Sequence, residues 1–228
     1  SPDEPASIAL LLAVGLVAAF INTAAGAGSL LSLRALMLLG LGADVANGTN
    51  RVPVLVQSAV AAWGFREHGA LPSRGLRQAI ALASAGAICG SLVASYTPER
   101  VMRFVLILVL LGVAFFSAFG PKAKAAAGEG SPRAMAVGLF VSGLYGGFLQ
   151  AGVGLALLFS LSTLGGMDLL GANAQKVVIV LVFSLFSLAI FLVRGQVSLL
   201  HAAWLSVGAA AGAWLGVRYA VRYASSLK

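Results

Sequence analysis

Two clusters of polar and glycine residues interrupt long apolar stretches, and each occurs twice. The first reads Asn22-Thr23-Ala24-Ala25-Gly26-Ala27-Gly28-Ser29, and Gln150-Ala151-Gly152-Val153-Gly154 repeats its core. The second reads Asn47-Gly48-Thr49-Asn50-Arg51, with Asn173-Ala174-Gln175-Lys176 as its copy. Together they offer amides, hydroxyls, two cations and glycine-lined backbone, and no carboxylate. That set suits a small anion. Glycine lets the chain leave helical geometry and lets a ligand approach the backbone. A helix that begins after such a break presents N–H groups and the positive end of its dipole. The candidate binding residues are therefore Asn22, Thr23, Gly26, Gly28, Ser29, Asn47, Thr49, Asn50, Arg51, Gln150, Gly152, Gly154, Asn173, Gln175 and Lys176. The expected arrangement holds the anion between 26–29 and 152–155 near mid-membrane, with side-chain amides from Asn47 and Asn173.

Each feature also has a purely structural reading. Small residues let helices pack closely in a membrane. Arg51 and Lys176 fall about one to two turns inside apolar segments, from where they could snorkel to the headgroups. Held inside, such cations are costly and mark function. Arg34 is better read as snorkelling. Pro53 has no N–H to give to the Thr49 carbonyl, which leaves that oxygen free for a ligand, a water or an ion. The seven acidic residues are Asp3, Glu4, Asp44, Glu67, Glu99, Glu129 and Asp168, all at segment ends or in connectors. A buried proton relay and a cationic substrate are thus not expected. His68, His201 and the single Cys89 make no convincing metal site, and no cofactor is implied. Cys89 alone excludes an intramolecular disulfide. Ser29 as an intramembrane nucleophile would need a base, and neither histidine lies at its depth, so the chain does not read as an enzyme.

The elements that position these clusters follow from composition. Of 228 residues, 60% are hydrophobic and 10% charged, with a mean hydropathy of +0.98. Soluble domains carry about a quarter charged residues. The chain therefore reads as an all-α, polytopic transmembrane helical bundle, since within lipid a helix satisfies its own backbone. The apolar runs are too long for outer-membrane strands. They span roughly 7–24, 29–40, 45–65, 75–96 and 101–119, then 133–150, 154–165, 172–193 and 200–221, with a polar linker at 121–132 containing Lys122, Lys124 and Glu129. The first, third and fourth runs of each half approach the roughly 20 residues of a span. The second runs are too short, and each directly follows a Gly-x-Gly, as a broken or re-entrant helix would. The opening polar residues show no clear signal peptide.

Gly26 and Gly152 lie 126 positions apart, as do Asn47 and Asn173, Gly69 and Gly195, and the pairs Gly86/Gly90 and Gly212/Gly216. The expected organisation is a first repeat over 1–97, a connecting helix and linker over 98–132, and a second repeat over 133–228. One side of the membrane collects Arg66, His68, Arg74, Arg77, Lys122, Lys124, Arg133, Arg218, Arg222 and Lys228. Positive residues gather on the cytoplasmic side, which places the N-terminus outside and the C-terminus inside. The net charge of +8 is explained this way rather than by nucleic acid. An odd number of crossings separates the copies, so the repeats are inverted, the arrangement of secondary transporters with a central site.

The same residues resemble the TauE/SafE sulfite and organosulfonate exporters. Gly26-Ala27-Gly28, Leu38-Leu39-Gly40-Leu41-Gly42 and Ala46-Asn47-Gly48-Thr49-Asn50 follow that family's order, and Phe65-Arg66-Glu67-His68-Gly69-Ala70-Leu71 resembles its ending, echoed by Phe191-Leu192-Val193-Arg194-Gly195-Gln196-Val197. Two departures stand out. The family's proline after the break is absent from Leu33-Arg34-Ala35 and Phe159-Ser160-Leu161, and Ala172-Asn173-Ala174-Gln175 lacks Gly-Thr. The resemblance implies a multi-pass inner-membrane carrier of small sulfur-containing anions, whose partners are that anion and the lipid bilayer. A homodimer stays open, as do an anion channel and another carboxylate or sulfonate substrate.

Overall fold

The computed structural model describes residues 4–24, 26–73, 75–119 and 130–226. Most of the expected linker, with Lys122, Lys124 and Glu129, lies outside them, as do Asp3, Ala25, Arg74 and Lys228. Among the described residues every regular element is helical: α1 Pro5–Ala24, α2 Ser29–Leu38, α3 Ala43–Thr49, α4 Arg51–Glu67, α5 Leu76–Tyr96, α6 Glu99–Phe119, α7 Pro132–Phe148, α8 Val153–Leu158, α9 Leu169–Val193 and α10 Leu199–Ser226. A π-helical segment, Phe159–Leu164, continues α8. The helices α1, α5, α9 and α10 are long and apolar enough to cross a membrane. Large apolar side chains also face outward, among them Trp63, Phe104, Leu111, Val137 and Val193. Helices apolar on both faces belong in lipid.

Glycines set the packing. A Cβ on Gly208 would stand 2.1 Å from the Leu12 carbonyl oxygen, and one on Gly212 2.0 Å from that of Leu16. The numbers rise together along both helices, so α1 and α10 run parallel in close backbone contact, as small residues permit in membranes. Likewise Gly86 meets the Phe140 carbonyl and Gly90 that of Leu144, which pairs α5 with α7 in parallel. Shifted by 126 positions, Gly86 and Gly90 become Gly212 and Gly216, and α1 becomes α7. The two pairs are thus the same contact made twice. The remaining contacts exchange in the same way: α4 packs on α10 as α9 packs on α5, and α4 packs on α9.

Beyond the π-helical segment after α8, where α2 is regular, the halves differ at the third run. The run 45–65 reads as a single helix, but the structure divides it at Asn50 into α3 and α4. Pro53 explains the break: it is the third residue of α4, where a missing N–H costs nothing, and it cannot bond back to Thr49. Its repeat counterpart is Ile179, and α9 runs unbroken through that position. Asp168, an acid in a connector, caps α9 by accepting a 2.9 Å bond from the Gly171 N–H.

Candidate functional site

The Gly-x-Gly breaks use their two glycines differently. Gly26 and Gly152 take φ of +93° and +72°, the left-handed region that turns the chain out of α1 and into α8. Gly28 and Gly154 serve close approach. A Cβ on Gly28 would lie 1.8 Å from the Ala18 carbonyl oxygen, and one on Gly154 2.5 Å from the Gly26 Cα. The breaks therefore touch each other, backbone on backbone, and no anion fits between the glycines themselves. The first N–H of α2 is also occupied: Ser29 N donates to the Asn22 Oδ1 at 3.2 Å. The N–H of Leu155 donates to the Gly152 carbonyl at 3.0 Å.

A cavity of about 20 Å³ opens beside this contact. Asn22, Thr23, Gly26, Ser29, Gly154 and Lys176 from the expected set line it, joined by Gln57 and Ser58 of α4. Apolar walls come from Val54, Ala61, Val153, Val177 and Val180. Asn22 organises the polar end. Its Nδ2 donates to the Ser29 Oγ at 2.9 Å and to the Gln57 Oε1 at 3.4 Å. The Lys176 ammonium donates to the Asn22 carbonyl at 2.9 Å. That carbonyl belongs to the end of α1, where the helix dipole is negative. Among the described residues no carboxylate lines the cavity, so the Lys176 Nζ faces only neutral groups.

Snorkelling is overturned for both central cations: Arg51 is 0% exposed and Lys176 2%. The breaks lie inside the bundle, and each cation finds carbonyls there before it finds water. Arg34, by contrast, is exposed, as snorkelling requires. Arg51 does not line the cavity. Its Nη1 donates to the Gly146 carbonyl at 3.3 Å, its Nη2 donates to that of Gly147, and its guanidinium lies 4.3 Å from the centre of the Phe191 ring.

The other expected residues form the frame. Asn47 donates to the Phe148 carbonyl at 2.8 Å and accepts from Gln150 N at 3.3 Å, so it braces the second break. Asn173 donates to the Thr23 carbonyl at 2.8 Å and braces the first. Each half thereby steadies the break of the other. Asn50 accepts from the Ser32 Oγ, Gln150 donates to the Ser184 Oγ at 2.8 Å, and Gln175 donates to the Pro72 carbonyl at 3.2 Å. Thr49 accepts from Ser198 N at 2.9 Å, away from the cavity. Gln57 and Ser58 were not singled out from the sequence. Their signal was available: they are adjacent polar residues within the apolar run 52–65.

A family model described as "Sulfite exporter TauE/SafE" matches residues 11–227. A "Probable membrane transporter protein" of Haemophilus influenzae is 28% identical over 92% of this chain and 84% of the relative. "Probable membrane transporter protein ORF9" of a Sinorhizobium species is 25% identical over 94% of this chain and 83% of its own. "Probable membrane transporter protein YfcA" of Escherichia coli K12 is 26% identical over 94% and 81%. No solved structure gives a comparable match.

Proposed function

We propose a substrate and a mechanism for this chain, which belongs to the sulfite exporter TauE/SafE family and is a membrane transporter: it carries small sulfur-containing anions, sulfite or a short sulfonate, through a site built around Lys176. The observation that carries this reading is Lys176 itself, a buried lysine that lines a cavity holding amide and hydroxyl donors and, among the described residues, no carboxylate. A buried charge without a counter-charge is costly. An anion entering the cavity relieves that cost, whereas a cation would add to it. Asn22, Ser29, Gln57 and Ser58 supply neutral hydrogen bonds to its oxygens, and the valines receive the remainder.

Size favours a carrier over an open pore. A cavity of about 20 Å³ is room for roughly one water. Admitting a sulfite-sized anion requires the walls to move, so binding is tied to a rearrangement of the two halves, 1–97 and 133–228. Inversion of those halves is supported by direction. Arg51, at the start of α4, meets Phe191, near the end of α9, although these two helices are repeat counterparts. On this reading the protein lies in the inner membrane with its N-terminus outside and its C-terminus in the cytoplasm.

The test is a thermal-shift titration of the purified protein with sulfite, methanesulfonate, acetate and chloride. Sulfite or methanesulfonate should raise the melting temperature saturably, and chloride should not. Equal shifts from all four salts, or none, would remove the substrate assignment.

A further inference from the structure

The repeat allows the two sides of the Gly26/Gly154 contact to be compared position by position, and they are not alike. Ser58 is 3% exposed and lines the cavity, while its counterpart Ser184 is 0% exposed and bonded to Gln150. Gln57 lines the cavity, while its counterpart is the buried ring of Phe183. A water-sized space therefore lies on one side of the Gly26/Gly154 contact, and its repeat mate is filled.

The filled side is tied at one point by four helices. Arg51 of α4 donates to the Gly146 and Gly147 carbonyls at the end of α7 and lies over Phe191 of α9. Ser91 of α5 donates to the same Gly147 carbonyl at 3.1 Å, and its Oγ pairs with the Ser187 Oγ at 2.7 Å. On the cavity side the position equivalent to Arg51 is Val177, and the corresponding tie is the one bond from Lys176 to Asn22. A fork that engages two carbonyls and stacks on a ring holds its partners in a fixed geometry, which a single flexible ammonium does not. The Arg51 Nε is buried with no partner among the described residues, so the clasp is incomplete as it stands.

We propose that Arg51 is a positioning residue, not an anion ligand: its clasp on Gly146, Gly147 and Phe191 holds the carrier in the arrangement that keeps a cavity beside Ser58 and fills its mate beside Ser184. This rests on the carrier reading above. Transport requires the clasp to release, and a ligand moves such an equilibrium only through its different affinity for the two arrangements. Removing the fork shifts the resting population toward the mate arrangement.

The experiment compares thiol reactivity at the paired positions in proteoliposomes, with the full chain in a Cys89→Ser background. Ser58→Cys and Ser184→Cys are each treated with sulfonatoethyl methanethiosulfonate, and the adduct is followed by intact mass. With Arg51 present, Ser58→Cys should react much faster. With Arg51→Gln the ratio of the two rates should fall by about tenfold or more, the scale of a lost charge-assisted bond. Arg51→Lys should restore part of it. General loosening would raise both rates together; only a change of arrangement slows one while speeding the other. An unchanged ratio in Arg51→Gln, or a rise at both sites, would overturn the proposal. If Arg51→Gln does not purify, Phe191→Leu keeps the arginine and removes its ring, and an unchanged ratio there would overturn it equally. The readout needs no anion, so a protein that binds neither sulfite nor methanesulfonate would sink the substrate reading and leave the clasp to be judged by these rates.

Discussion

Gly154→Ala is the smallest perturbation that reaches the centre of the fold. The added methyl would lie 2.5 Å from the Gly26 Cα and 2.7 Å from its carbonyl oxygen. Carbon atoms prefer about 3.5–4.0 Å, so the two breaks must part by roughly 1 Å. Both neighbours are backbone, and no side chain can swing aside to make room. Gly154 has an ordinary backbone angle, so contact and not conformation sets the cost. Overpacking of this kind costs about 1–3 kcal/mol. For a chain of this length each kcal/mol moves the melting temperature by about 2–4 °C, which gives a loss on the order of 2–12 °C. The control is Gly112→Ala in α6, where a Cβ would meet nothing within 4 Å among the described residues. There alanine gains up to about 1 kcal/mol of helix propensity, and the melting temperature should hold or rise slightly. Differential scanning fluorimetry of the purified protein measures both. If Gly154→Ala melts with Gly112→Ala, at or above the unsubstituted protein, the direct meeting of the two breaks is wrong.

Asn47→Ala should destabilise more than Asn173→Ala, by about 1 kcal/mol, because Asn47 makes two bonds to the opposite break while the Oδ1 of Asn173 has no partner among the described residues; equal melting temperatures would contradict that ordering. Cysteines placed at Ala6 and at Ser226 in a Cys89→Ser background should label from opposite sides of the membrane, since α1 and α10 run parallel and these positions lie near their opposite ends. Labelling from one side alone would refute the topology.

The repeat, the helical class and the two breaks were legible because glycine, asparagine and length leave marks at fixed spacing. The Gly-x-Gly pattern even encodes its division of labour, with a turn at Gly26 and close contact at Gly28. What the sequence concealed was partnership across the halves. Arg51 and Lys176 look alike as intramembrane cations near the start of apolar runs. Only the fold shows that one spends its donors on Gly146 and Gly147 while the other faces a cavity. The amides of Asn47 and Asn173 were expected to meet a ligand and instead steady the opposite break, because buried backbone carbonyls reach them first. Gln57 and Ser58 escaped notice because a side chain's direction on α4 is not visible until its neighbours are placed.

The central claim is that Lys176 holds a transported anion. It is tested most directly by counterflow of radiolabelled sulfite into proteoliposomes preloaded with unlabelled sulfite, comparing the unsubstituted chain with Lys176→Gln. The unsubstituted protein should show saturable, transient accumulation of label, the behaviour of a carrier. Lys176→Gln, which keeps a donor but loses the charge, should weaken apparent affinity by about tenfold or more, as expected for a lost charge-assisted bond of about 1.5–3 kcal/mol. Unsubstituted flux that neither saturates nor overshoots would indicate a pore, and full counterflow with unchanged affinity in Lys176→Gln would contradict the site.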